Sequence, residues 1–280
     1  MGRLRVKEFK KFVLVTGSLG FIGKKCVEKL LASNCGVTEC DSRRGCKVTC
    51  FTNYRHFDEI YHLASLTNVI RSISFPLVTI SENVSNLLAA LEMARDSHSR
   101  FIFTSSMNSP SRLSPYLASK SACEAICEGY RNSYDLDVNI LRLSNVYGPG
   151  SWHKTSVVST LIKQILNFEP LTIYGKDVTR DFVYVDDVVS AMVTLSRGTK
   201  LLRIGSGIST SLGELVEILR SLTRKYLDYE PYVKFVGKRK GEVETVTPET
   251  DLDRVTSLEH GLDETFKWFI KERDAKKFGQ

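Results

Sequence analysis

The residues Phe103–Lys120, FTSSMNSPSRLSPYLASK, bring serine hydroxyls, a phenol and an ammonium into one short span. Tyr116 and Lys120 are four positions apart, which places them on one face of a helix. A phenol near positive charge has its pKa drawn down, so it can pass a proton to or from a bound hydroxyl. Ser106, at the end of the apolar run RFIFTSS, could hydrogen-bond the same oxygen, with Ser105 beside it. Tyr-x-x-x-Lys also opens plain amphipathic helices, so its meaning depends on what the chain assembles around it.

Upstream, TGSLGFIG spaces Gly17, Gly20 and Gly23 between a strand-like run, FVLVTG (12–17), and a helix-periodic one, FIGKKCVEKLLAS (21–33). Gly17 suits a tight turn, Gly20 lets backbone approach a pyrophosphate, and Gly23 permits close helix–strand packing. The helix start at Phe21 and Ile22 offers amides to phosphates. Asp41 ends the next strand, 18 residues beyond Gly23. A carboxylate there accepts a bond from a ribose 2′-OH and repels a 2′-phosphate, favouring NAD over NADP. Arg43 and Arg44 follow at once and could host a phosphate instead. Glycine turn, carboxylate and Tyr-x-x-x-Lys together predict a dinucleotide-dependent hydride-transfer site, with Ser106, Tyr116 and Lys120 as its catalytic residues.

These residues need elements to position them. Strand-like runs at 36–41, 47–51, 57–64, 100–106 and 138–148 are interleaved with amphipathic helices at 21–33, 81–97 and 115–134. Apolar strands alternating with helices predict an α/β fold, a Rossmann doubly wound parallel sheet buried on both faces. Beyond Pro149 come a helix near 155–167, the strand-like EPLTIYG, a strand and helix over 180–197, a helix at 212–222, and a mixed, polar remainder. The chain thus reads as a dinucleotide-binding domain over 1–147, to which 180–204 returns. A smaller, partly interwoven substrate-binding domain over 148–280 is expected at the carboxyl ends of the strands, where open parallel sheets take their ligands.

Composition narrows the function classes. The 280 residues are 42% hydrophobic and 25% charged, ordinary for a soluble globular protein. Lys+Arg 39 against Asp+Glu 32 gives +7, which suits anionic small molecules. The basic residues are dispersed apart from the two ends, which argues against nucleic acid. No apolar stretch approaches bilayer-spanning length, and Phe12–Val15 is too short for a signal peptide, so a cytoplasmic protein with no membrane partner is expected. Cys35, Cys40, Cys46 and Cys50 contain no Cys-x-x-Cys pair. Reduced thiols packed as small apolar residues are therefore expected, and no metal.

At this point the chain resembles the extended short-chain dehydrogenase/reductase family, and within it the nucleotide-sugar epimerase/dehydratase branch typified by UDP-glucose 4-epimerase. The matching stretches are TGSLGFIG, IYHLAS, NVSNLLAALEMAR, FIFTSS, SPYLASK, LRLSNVYGPG, LTIYGKDVTRDFVYVDDV, IGSGISTSLGELVEIL and GEVETVTPETD, in family order from about residue 12 to 269. The resemblance implies that Gly17, Gly20, Phe21, Ile22, Gly23 and Asp41 hold NAD, adjoined by Ser105, Tyr116 and Lys120. It implies that His62, Leu63 and Ala64 form a loop beside the cofactor phosphates, braced by Asn83. It further implies substrate contacts from Asn145 and Val146, with Tyr147 lining the pocket. Diphosphate contacts are implied from Arg180 and from Arg239, in KRKGEV, where Lys240 replaces the family's Pro.

In this branch the two residues after the catalytic Ser/Thr sort the chemistry: 4,6-dehydratases resemble one another in carrying Asp-Glu, and decarboxylating relatives keep a Glu. Here they are Met107 and Asn108, neither of which transfers protons. The resemblance therefore implies an NAD-dependent nucleotide-sugar 4-epimerase acting by transient C4 oxidation and hydride return. A nucleotide-4-ketosugar reductase and a non-catalytic nucleotide-sugar-binding member of the same fold are the alternatives. A homodimer through helices 81–97 and 115–134 is also implied. Three segments are shorter than in the family: that between Asp41 and His62, the nine residues between Ser106 and Tyr116, and the tail after Asp251.

Overall fold

Val13, Leu14 and Val15 are fully buried, because the strand they form lies inside a sheet covered on both faces. The computed structural model describes residues 9–48, 56–237, 245 and 248–278. It divides into two units: one runs to Arg142 and takes in Met192–Leu202, and the other comprises Leu143–Ala191 and the chain from Arg203 on. Arg239 and most of the expected strand at 47–51 lie outside the described residues.

In the first unit the chain runs β1 (Phe12–Thr16), α1 (Phe21–Ala32), β2 (Gly36–Cys40), β3 (Glu59–His62), α2 (Val69–Ser74), α3 (Pro76–Ser97), β4 (Arg100–Ser106), α4 (Pro115–Tyr134) and β5 (Val138–Leu143). These strands and a later one at Leu201–Ile204 (β10 in chain order) form a six-stranded sheet in the order β10-β5-β4-β3-β1-β2. β1 pairs in parallel with β2 on one side and β3 on the other, and β3 with β4. The chain leaves β1 in opposite directions, so its carboxyl end is the switch point where such sheets bind ligands. The core joins Leu14 and Ile60 of the sheet to Leu87, Leu91, Cys123 and Cys127 of the helices. β4 and α4 cover the residues expected from sequence. α4 is bounded by Ser114, whose hydroxyl accepts from the Leu117 amide, by Pro115 in its first turn and by left-handed Asp135.

The second unit holds β6 (Asn145–Tyr147), α5 (Val157–Leu166), β7 (Leu171–Tyr174), β8 (Thr179–Arg180), β9 (Phe182–Tyr184), most of α6 (Val185–Val193), β11 (Thr210–Ser211), α7 (Leu212–Leu227), β12 (Val233–Val236) and α8 (Leu258–Phe278). Its small sheets are two-stranded, and its core packs Leu161, Ile165, Leu215, Leu219, Phe266 and Phe269. The single strand expected over 138–148 is two: Ser144 N bonds to Ile204 O at 2.9 Å, whereas Asn145 N bonds to Asp181 O at 3.0 Å. The backbone changes partner between those residues, which ends one strand and starts the next, and the units divide two residues earlier, at 142/143. Of the segment 180–204, residues 192–202 join the first unit. Among the described residues, no helix is long and apolar enough to cross a membrane.

Candidate active site

β1 ends at Thr16, and the chain turns through Gly17 with a left-handed φ of 69°. A side chain on Gly17 would press on the Leu63–Ala64 backbone, 2.8 Å from Ala64 N. Gly23 has no space for a Cβ because the Gly17 carbonyl lies against it. Gly20 precedes α1 with no side chain bonded to the helix amides, so the amides at the start of α1 remain uncapped by any side chain. Ser18 Oγ, buried in the same turn, has no hydrogen-bond partner among the described residues. An uncapped helix start beside an orphan hydroxyl fits the phosphates of a dinucleotide.

Asp41 follows β2 and is heavily engaged. Its Oδ1 accepts from Arg43 N at 3.0 Å and Arg43 Nε at 2.9 Å, and its Oδ2 from Arg43 Nη2 at 2.9 Å and Leu19 N at 3.0 Å. The Arg43 guanidinium, with these amides, holds the carboxyl below its usual range against the opposing effect of burial. Arg43, whose sequence position suggested a phosphate host, is instead folded onto Asp41.

At the end of β3, His62 is buried, with Nδ1 3.0 Å from Thr16 Oγ1, which also accepts from the Ala64 amide at 3.3 Å. Burial, and secondarily the Lys120 charge, push His62 down to about 3, so it is neutral. Asn83 of α3 ties the next residues down: Oδ1 accepts from Leu66 N at 2.8 Å and Ser65 Oγ at 3.1 Å. Its Nδ2 donates to Leu66 O at 3.2 Å and Ser119 Oγ at 2.9 Å, and Ser119 Oγ donates to Tyr116 O at 2.7 Å. Asn83 thus connects the loop after β3 to the first turn of α4.

Lys120 is buried, and its Nζ donates to Thr104 O at 2.8 Å and lies 4.8 Å from the centre of the Phe103 ring. An ammonium has three N–H donors, and among the described residues Thr104 is its one hydrogen-bond acceptor. The remaining donors are available to ribose hydroxyls. Burial lowers Lys120 to about 8. Tyr116 is half-buried, and here the structure departs from the expected direction: burial raises the phenol to about 12. Burial is the cause acting on the phenol, with no offsetting positive charge from the described residues.

Sequence reasoning overlooked the support beneath the serines. Ser105 Oγ donates to Glu124 Oε1 at 2.5 Å, and Ser109 Oγ to the same oxygen at 2.7 Å. Arg142 clamps Glu124 with Nη2–Oε2 at 2.7 Å and Nε–Oε1 at 3.1 Å. Ser106 lies between the two anchored serines, and its Oγ accepts from Asn108 N at 3.3 Å. The available signal was spacing: Glu124 is one helical turn beyond Lys120 and two beyond Tyr116.

The expected substrate residues belong to the second unit. Asn145 Nδ2 donates to Asp181 O at 3.1 Å, and Val146 pairs with Val183 in β6–β9. Arg180 sits in β8, with Nη1 donating to Thr179 O at 2.8 Å. Tyr147 is buried and donates to Leu258 O at 3.4 Å.

The NAD dependent epimerase/dehydratase family matches residues 13–201. The chain belongs to this family. Its relatives differ in chemistry. The UDP-glucose 4-epimerase of Mycolicibacterium smegmatis is 31% identical over 248 residues, 72% of this chain and 79% of that protein. UDP-glucuronic acid decarboxylase 1 of Danio rerio is 25% identical over 316 residues, 97% of this chain and 75% of that protein. The UDP-glucose 4-epimerase of Thermotoga maritima, solved with UDP-glucose, superposes with a TM-score of 0.84 at 27% identity, covering 94% of this chain and 99% of that one. The glycine turn, β3–β4 and the Tyr-x-x-x-Lys helix all fall inside the matched segment.

Proposed function

We propose that this family member is an NAD-dependent nucleotide-sugar 4-epimerase, with the first unit holding NAD and the second the nucleotide sugar. The observation that carries it is the state of Glu124. Met107 and Asn108 occupy the positions of the proton-transferring carboxylates, and the carboxylate that the fold does bring beneath this turn is buried and locked to Arg142. Glu124 is held below its ordinary pKa, since its bonds to Arg142, Ser105 and Ser109 outweigh burial. It cannot serve as a protonated acid near neutrality. Elimination and decarboxylation lose their acid–base group, while the redox residues remain.

Gly17, Gly20, Phe21, Ile22 and Gly23 would take the pyrophosphate, Asp41 the adenosine ribose, and Leu63, Ala64, Asn83 and Ser105 would frame the cofactor. NAD, when bound, would supply reversible hydride chemistry at the sugar C4. Tyr116 moves the proton of the C4 hydroxyl, Ser106 donates a hydrogen bond to that oxygen, and Lys120 holds the nicotinamide ribose. In the second unit, Asn145, Val146 and Arg180, together with Arg239, would receive the nucleotide diphosphate. Incubation with UDP- and GDP-sugars should produce C4 inversion without added reductant. Reduction of a 4-keto sugar by stoichiometric NAD(P)H, with no inversion, would establish the reductase instead.

We infer, too, that α3 and α4 form a homodimer face. Leu77 is 79% exposed and Phe75 58%, with Ile80 and Leu88 also exposed along α3. Leu77→Asp should convert a dimer to a monomer by light scattering; a wild-type monomer at micromolar concentration removes the idea.

A further inference from the structure

Cys40 and Cys46 bracket the Asp41 clasp. Cys40 is the last residue of β2 and buried; Cys46 is half-exposed. Their Sγ atoms lie 2.8 Å apart, and Cys40 Sγ is 3.4 Å from Cys46 O. The turn between them is already closed, with Arg44 N on Asp41 O at 2.9 Å, Cys46 N on the same oxygen at 3.2 Å, and Gly45 at a left-handed φ of 73°. An S–S bond is about 2.05 Å long, so bonding these sulfurs asks for less than an ångström of movement in a turn that is already folded.

We propose that Cys40 and Cys46 are a reversible disulfide site whose oxidation weakens dinucleotide binding. A low-molecular-weight disulfide such as glutathione disulfide is the oxidant. The half-exposed Cys46 thiolate attacks it, forming a mixed disulfide and releasing one glutathione thiolate. Cys40 thiolate then attacks the Cys46 sulfur and releases the second. Two cysteine thiols lose two protons and two electrons, and one glutathione disulfide becomes two thiols.

The link to binding rests on Asp41 as the ribose acceptor, as proposed above. A carboxylate has about four lone-pair positions, and four N–H groups of Arg43 and Leu19 already occupy Asp41. A ribose hydroxyl enters only when Arg43 gives up one of these bonds; its half-exposed guanidinium can swing out by a rotamer change, whereas its amide leaves Asp41 only if the 42–46 turn rearranges. A bond from residue 40 to 46 stiffens that turn, keeping the Arg43 amide on Asp41 and the guanidinium close beside it.

The test treats the full-length reduced chain with glutathione disulfide, then reads peptide masses and NAD affinity before and after. Expected are a Cys40–Cys46 linked peptide, an NAD affinity about tenfold weaker, recovery with dithiothreitol, and neither effect in Cys46→Ser. Failure of these two cysteines to link, pairing of Cys40 with another cysteine, or linkage with unchanged affinity each overturns the proposal. The linkage is read by mass whatever the reduced chain binds. A reduced chain that binds no NAD therefore refutes the function proposed above and leaves the disulfide site to be decided by the mapping.

Discussion

Removing Arg142 should be among the more damaging single changes in the first unit, and pH should set how damaging. Glu124 is 6% exposed, and Arg142 supplies the only full positive charge bonded to it among the described residues. Taking one partner from a buried ion pair costs about 3–5 kcal/mol, because the other charge stays buried and uncompensated. Arg142→Ala leaves just that charge, so about 3–4 kcal/mol is expected at pH 8. Glu124→Ala leaves a guanidinium whose side chain is 27% exposed and can turn to water, so roughly 2 kcal/mol is expected there. In the wild type, the lowered Glu124 pKa contributes stability that is complete above the ordinary carboxylate value of about 4.3. That contribution is lost as pH falls through the folded value below it. In Arg142→Ala burial prevails and the folded pKa rises, so the penalty is largest at pH 8 and eases as protonation sets in toward pH 5. Urea unfolding of wild type and variant at pH 8 and pH 5 measures both. A loss under about 1 kcal/mol at pH 8, or a gap that does not shrink by pH 5, refutes the network as the anchor of the serine turn.

Tyr116→Phe should reduce turnover by about 10²–10⁴ while NAD and nucleotide-sugar affinity stay within a few-fold; kinetics and calorimetry check the two halves. Gly23→Ala should abolish NAD binding and lower stability, since the added methyl meets the Gly17 carbonyl backbone rather than a flexible side chain; fluorescence titration that still shows wild-type affinity contradicts it. Lys120, lowered by burial, should give one lysine resonance titrating near pH 8 in carbon-13 lysine spectra of the NAD-free chain, absent in Lys120→Met. Because its folded pKa lies below the unfolded value, its unfavourable contribution is complete below about pH 8 and is relieved as pH rises toward about 10.5.

The elements read most accurately from sequence were those with local punctuation. β4 ends in serines after four apolar or threonine positions, and α4 starts at Ser114-Pro115 and stops at left-handed Asp135. α8 went unread because its apolar positions are sparse. Yet Leu262, Phe266 and Phe269 recur at helical spacing and are fully buried. α2 is six residues long and capped by Asn68, too short for periodicity to reveal. The break at Ser144 carries no local signal, since it arises from a change of hydrogen-bond partner.

The order of motifs along the chain was enough to determine the α/β class, the glycine turn and the family. Those depend on residue type and short spacing, which a linear chain displays directly. What only tertiary structure decided are the partners of charged and polar groups: Arg43 closing on Asp41, Lys120 on the Thr104 carbonyl, Glu124 clamped by Arg142, and Cys40 meeting Cys46. Burial and distance set how strongly such groups interact and which way their protons shift, and both come into being only when the sheet and its helices have packed.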